Sequence, residues 1–119
     1  MLALLCMIYL HLLDDYKIQG WLADGKNKYW WQKNCQNKKY SKDYIIALLE
    51  HSFMNTFFVH IPVYLFLYNN INILVISVMI GIIFHAIVDD LKANKHKINL
   101  IQDQMLHIIY IIVIWFIFK

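Results

Sequence analysis

Three histidine–aspartate pairs in this chain are spaced one helical turn apart: His11 with Asp15 in HLLDD, His85 with Asp89 in HAIVDDLK, and Asp103 with His107, in reversed order, in DQMLH. Residues at i and i+4 project from the same face of a helix. Imidazole and carboxylate donors together suit a divalent ion, zinc first and manganese or iron next. A fourth histidine, His51, lies in an apolar stretch beside Glu50 and Asn55. Four histidines and three aspartates exceed one tetrahedral set, so either two ions bind or some aspartates orient histidines. Given an open coordination position and a metal-bound water, Asp14, Glu50 and Asp90 are candidate general bases, although each also suits a helix-end charge facing water.

The segments that must carry these groups are unusually apolar. Hydrophobic residues make up 61% of the 119 positions and charged residues only 16%, and the mean hydropathy is +0.47. With one proline and three glycines, neither a disordered tail nor a divided chain is expected. The composition predicts an all-α, integral membrane four-helix bundle, a single domain over 1–119. Its helices are expected at about 1–19, 43–68, 71–92 and 98–118, with a turn at Asn69-Asn70 and a basic aromatic loop over 20–42. The first apolar run lacks the features of a cleaved signal peptide and reads as a retained helix. Cys6 and Cys35 have no metal-type spacing.

Lysine placement predicts topology. Lys26, Lys28, Lys33, Lys38, Lys39 and Lys42 lie in the first loop, and Lys92, Lys95 and Lys97 around the third. The positive-inside rule puts both loops in the cytoplasm and both termini outside, in a bacterial inner membrane. Trp21, Tyr29, Trp30 and Trp31 beside these lysines read as a headgroup-level belt, with the lipid bilayer as the partner and no nucleic acid expected.

Counted from the cytoplasmic ends of their helices, His11, His51, His85 and His107 lie eight, eight, seven and nine residues in. At ~1.5 Å per residue they form one layer about 10–14 Å deep. Asp15, Asp89 and Asp103 lie four, three and five residues in and form a second layer nearer the cytoplasm. The reversed order of DQMLH is what a fourth helix running back through the bundle requires. His60 lies nine residues beyond His51 and is expected outside the layer, as a packed or interfacial residue.

The order of these motifs resembles domain-of-unknown-function family 3307, small bacterial and phage membrane proteins. Its members open with H-L-x-x-D-[FY]-x-x-Q followed by an aromatic and a lysine, here HLLDDYKIQGW with Lys26. A histidine in an apolar helix (LLEHSF), H-x-x-x-D-x-x-K (HAIVDDLK) and D-Q-x-x-H (DQMLH) follow. The resemblance covers nearly the whole chain and marks His11, Asp15, Gln19, His51, His85, Asp89, Lys92, Asp103, Gln104 and His107 as recurring positions. Asp14, where a small residue is commoner, and a short lysine-rich first loop depart from the pattern. The H-x-x-x-D spacing is also similar, more weakly, to that of membrane-bound metal-dependent hydrolases.

The expected function is therefore a metal-dependent hydrolase acting on a lipid-linked or membrane-adjacent phosphate or ester. Two other readings compete with it. A non-enzymatic phage or host membrane protein would bind a partner in the bilayer and use the His/Asp groups as a structural or ion-binding cluster. A proton or ion pathway would use the same groups as a relay.

Overall fold

The computed structural model describes residues 1–35, 37–67 and 70–119. Among them there is no strand, and six α-helices form. Four are substantial: α1 (Leu2–Leu13), α4 (Asp43–Phe66), α5 (Ile71–Ala93) and α6 (Leu100–Phe118). Two short ones, α2 (Leu22–Gly25) and α3 (Lys28–Asn34), lie in the stretch read from sequence as a loop. Residues 68 and 69, where the second helix was expected to end and the turn to begin, lie outside the described residues. Two helices, α5 and α6, are long and apolar enough to cross a membrane.

Local chemistry sets the helix starts. Asn70 accepts hydrogen bonds from the amides of Asn72 at 2.9 Å and Ile73 at 3.3 Å. Asn99 and Gln102 exchange side-chain and backbone bonds at the head of α6, at 2.9 and 3.0 Å. Both satisfy amides that a helix start otherwise leaves unpaired.

The first helix departs from its expected form. After Leu13 the chain continues as a π-helical turn, Asp14–Ile18, in which the amide of Gln19 donates to the carbonyl of Asp14 at 3.0 Å. The i→i+5 pattern takes in one extra residue, so 3.6-residue spacing no longer predicts which side chains share a face.

The bundle measures 48 × 27 × 22 Å and is unlike at its two ends. At one end Ala3, Met7, Val59, Val63, Leu74, Ile111, Ile114, Trp115 and Phe118 form an apolar core. At the other, the buried residues are largely polar and include His11, Asp14, His51, Asn55, His85, Asp89, Asp103 and His107. The outward faces are apolar throughout, with Leu5, Phe53, Ile83 and Phe116 each more than half exposed. Gly81 brings α4, α5 and α6 together: a Cβ there would collide with the Tyr110 hydroxyl and, at 2.6 Å, with Thr56 Cγ2.

Candidate metal centre

Each long helix delivers one histidine to the polar end. Ring centroids are 4.2 Å apart for His85 and His107, 4.9 Å for His51 and His85, and 5.0 Å for His11 and His107. The antiparallel course of α4 and α6 against α1 and α5 accounts for this: the apolar ends of all four share the core, leaving the histidines one level. Two sets of donor atoms lie within 4.8 Å of one another, Asp15–His51–His85 and His85–Asp89–His107. They share His85.

Asp89 is the hub. Its Oδ1 lies 3.2 Å from His107 Nε2 and 3.6 Å from His85 Nε2, and its Oδ2 lies 3.3 Å from His51 Nε2. His51 Nε2 in turn faces His85 Nε2 at 3.1 Å and Asp15 Oδ1 at 3.5 Å. Nitrogen and oxygen donors from α4, α5, α6 and the π-turn thus point at one small volume, from which water is largely excluded.

Asn55 fixes the orientation of His11. Its amide nitrogen donates to Asp14 Oδ2 and Asp15 Oδ1, both at 3.0 Å, so its carbonyl oxygen is the atom facing His11 Nδ1 at 3.0 Å. His11 Nδ1 must then be the donor, which leaves the Nε2 lone pair aimed inward. Nε2 has no hydrogen-bond partner among the described residues, and Asp15 Oδ2 is 3.7 Å away. A buried imidazole nitrogen left open in this way suits a metal ligand. Beside it lies a cavity of about 10 Å³, lined by Thr56, His85, His107 and Tyr110 among others, about one water in size.

The carboxylates not facing the histidines are held by ammonium groups. Lys26 Nζ donates to Asp89 Oδ2 at 2.6 Å, and Lys92 Nζ to Asp103 Oδ2 at 2.6 Å. Asp103 Oδ1 lies 3.5 Å from His107 Nε2. Gln104 donates to Asp15 Oδ2 at 2.9 Å, and Gln19 donates to the Asp15 carbonyl.

Of the residues singled out by sequence, His11, Asp15, His51, His85, Asp89, Asp103 and His107 are brought together, with Gln19, Lys92 and Gln104 at the rim. The three candidate bases separate. Asp14, set about 60° off the His11–Asp15 face by regular helical spacing, is fully buried because the π-turn draws it in. Its Oδ2 lies 3.8 Å from His51 Nδ1, on the far side of that ring from the cluster. Glu50 is exposed, and Asp90 pairs with Asn94 and Lys95, both at 2.9 Å. His60 stands apart, bonding the Thr56 carbonyl at 2.8 Å and Ser77 Oγ at 3.1 Å.

Two residues absent from the sequence-based site belong to it. Asn55 was detectable, because it follows His51 by one turn and shares its face. Lys26 carried no helical signal; only the folded loop shows where it goes. Replacing Asn55 by alanine is expected to free the His11 ring and lower metal affinity by about 10–100-fold, read by competition titration of the purified protein with a chromophoric chelator.

No protein-family model, curated protein or solved structure matches the chain.

Proposed function

We propose that the chain is an integral membrane protein whose four long helices enclose a divalent-metal centre, and that it is a metal-dependent hydrolase of a lipid-linked or membrane-adjacent phosphate or ester. The observation that carries this reading is the cluster itself: buried Nε2 and carboxylate oxygen atoms from four helices converge within bonding reach of one cation. Charge supports it. Asp14, Asp15, Asp89 and Asp103 face two ammonium groups, Lys26 and Lys92, leaving two negative charges if the histidines are neutral. One divalent ion cancels them, and charge inside an apolar bundle is costly unless cancelled.

Apolar outward faces around a polar interior support the membrane reading, with the lysine-rich loops cytoplasmic and both termini outside. The ordered motifs support membership of family 3307. His85, Asp89 and His107 would hold the ion, zinc being the best match to this donor set. A bound divalent ion supplies a Lewis acid and a water acidic enough to ionise near neutral pH. Asp15, 9% exposed and braced by Gln104, lies toward the rim and takes the proton. The Lys92 ammonium, 29% exposed, meets an anionic substrate group.

The test is hydrolysis of phosphate and carboxylic esters in mixed micelles by metal-loaded protein. Turnover that Asp15→Asn reduces by at least about a hundredfold, with metal content unchanged, supports the reading; no turnover of any ester by metal-loaded protein overturns the hydrolase. A second reading rests on one observation. Two imidazolium protons, one shared across the 3.1 Å gap between His51 and His85 and one on His107 beside Asp89 and Asp103, would cancel the same charge and leave a purely structural cluster. Metal analysis separates the two.

A further inference from the structure

Lys26 sits where a second cation would. The donors divide into two sets around a shared His85, and one Nε2 lone pair binds one ion. With an ion on His85, Asp89 Oδ1 and His107, the remaining donors define a neighbouring position. These are His51 Nε2, the open His11 Nε2, Asp15 and Asp89 Oδ2. Sites that pair two ions hold them about 3.5–4 Å apart and commonly span them with a carboxylate; Asp89, with its two oxygens facing different histidines, has the form of such a bridge. Yet Asp89 Oδ2 already accepts from Lys26 Nζ at 2.6 Å.

The Lys26 ammonium is placed by dedicated contacts. The α2–α3 segment folds back over the polar end of the bundle. Asn94, at the end of α5, grips it twice, donating to the Lys26 carbonyl at 3.2 Å and accepting from the Lys28 amide at 2.7 Å. The Gly25 carbonyl accepts from Trp31 Nε1 at 2.6 Å. Gly25 itself lies between the Trp21 ring and Ala47, where a Cβ would overlap the ring carbons and come within 3.2 Å of Ala47 Cβ. A lysine on a surface loop would reach water; this one is buried with its ammonium on Asp89.

We infer that Lys26 is a built-in monovalent cation that fills the second metal position, restricts the centre to one divalent ion, and thereby leaves Asp15 and His51 uncoordinated and free to handle protons. The inference rests on the metal-centre reading given above and adds the number of ions. It also fits the charge of the cluster: the loss of one ammonium leaves three negative charges, which a single divalent ion no longer balances.

The experiment is metal stoichiometry, by elemental analysis of detergent-purified full-length chain after loading with excess zinc and gel filtration. One ion is expected in wild type, two in Lys26→Met and one in Lys26→Arg, which keeps the charge. Should Lys26→Met fail to fold, Asn94→Ala releases the segment without touching a donor. It is expected to take up a second ion at a free zinc concentration at least about tenfold below any second binding in wild type. Two ions in wild type, or one ion in both wild type and Lys26→Met, overturns the inference and leaves the metal centre standing. A second ion absent from Asn94→Ala overturns it too. No stoichiometric metal in wild type defeats the metal reading itself.

Discussion

Detergent-purified His85→Ala/His107→Ala protein is expected to contain no stoichiometric transition metal. The two rings stack at 4.2 Å and present their Nε2 atoms to the same carboxylate oxygen of Asp89, at 3.6 and 3.2 Å. Removing an outer partner of a metal ligand typically costs 10–100-fold in affinity, and loss of a ligand costs more. Two ligands lost from one three-donor set should therefore lower affinity by well over about a thousandfold. The site would then empty during gel filtration. Undiminished metal in this variant would place the ion elsewhere or show it to be adventitious.

Asp89→Asn should be the most destabilising single change in the polar end. The carboxylate holds the buried Lys26 ammonium and faces three histidines. Neutralising one member of a buried ion pair leaves the other charge without compensation, at a cost of about 3–5 kcal/mol. Replacing both members is far milder, because no uncompensated charge remains. Asp89→Asn/Lys26→Met is thus expected to unfold at a higher temperature than Asp89→Asn alone, with a coupling of about 3 kcal/mol at the upper end of contacting pairs. Thermal unfolding in detergent with a chelator present isolates this term from metal binding. Additive losses would mean that the ion pair does not form.

The long helices were legible because their apolar runs leave no other fate for the backbone, and the histidine level was legible because antiparallel helices of known start can be counted inward. The reversed DQMLH motif carried most of that information. Two things were not legible. The position of Asp14 depends on a change in hydrogen-bond pattern, from i→i+4 to i→i+5, that no single residue type encodes. Lys26 depends on tertiary contacts from Asn94, Trp21 and Trp31; in a lysine-rich loop it reads as one more solvated charge. Six lysines precede α4 in that stretch, and composition alone does not separate the one that turns inward. Glu50 and Asp90 illustrate the converse, since proximity in sequence to a site histidine placed both as candidates and helix phase turned both away.

The π-turn has a consequence for how the chain tolerates changes of length. Each residue of an α-helix advances the chain by about 100° and 1.5 Å, so the wider turn at Asp14–Ile18 sets the heading at which Gly20 leaves the bundle. Deleting one residue there, even the exposed Lys17, would restore a regular helix. Asp14 would then swing out, and everything after Ile18 would start about 100° round and 1.5 Å short. Lys26 reaches Asp89 across 63 positions of sequence, and a helix of even pitch would aim it past its target. The turn works as a phase setting between the first helix and the lysine that the following segment delivers.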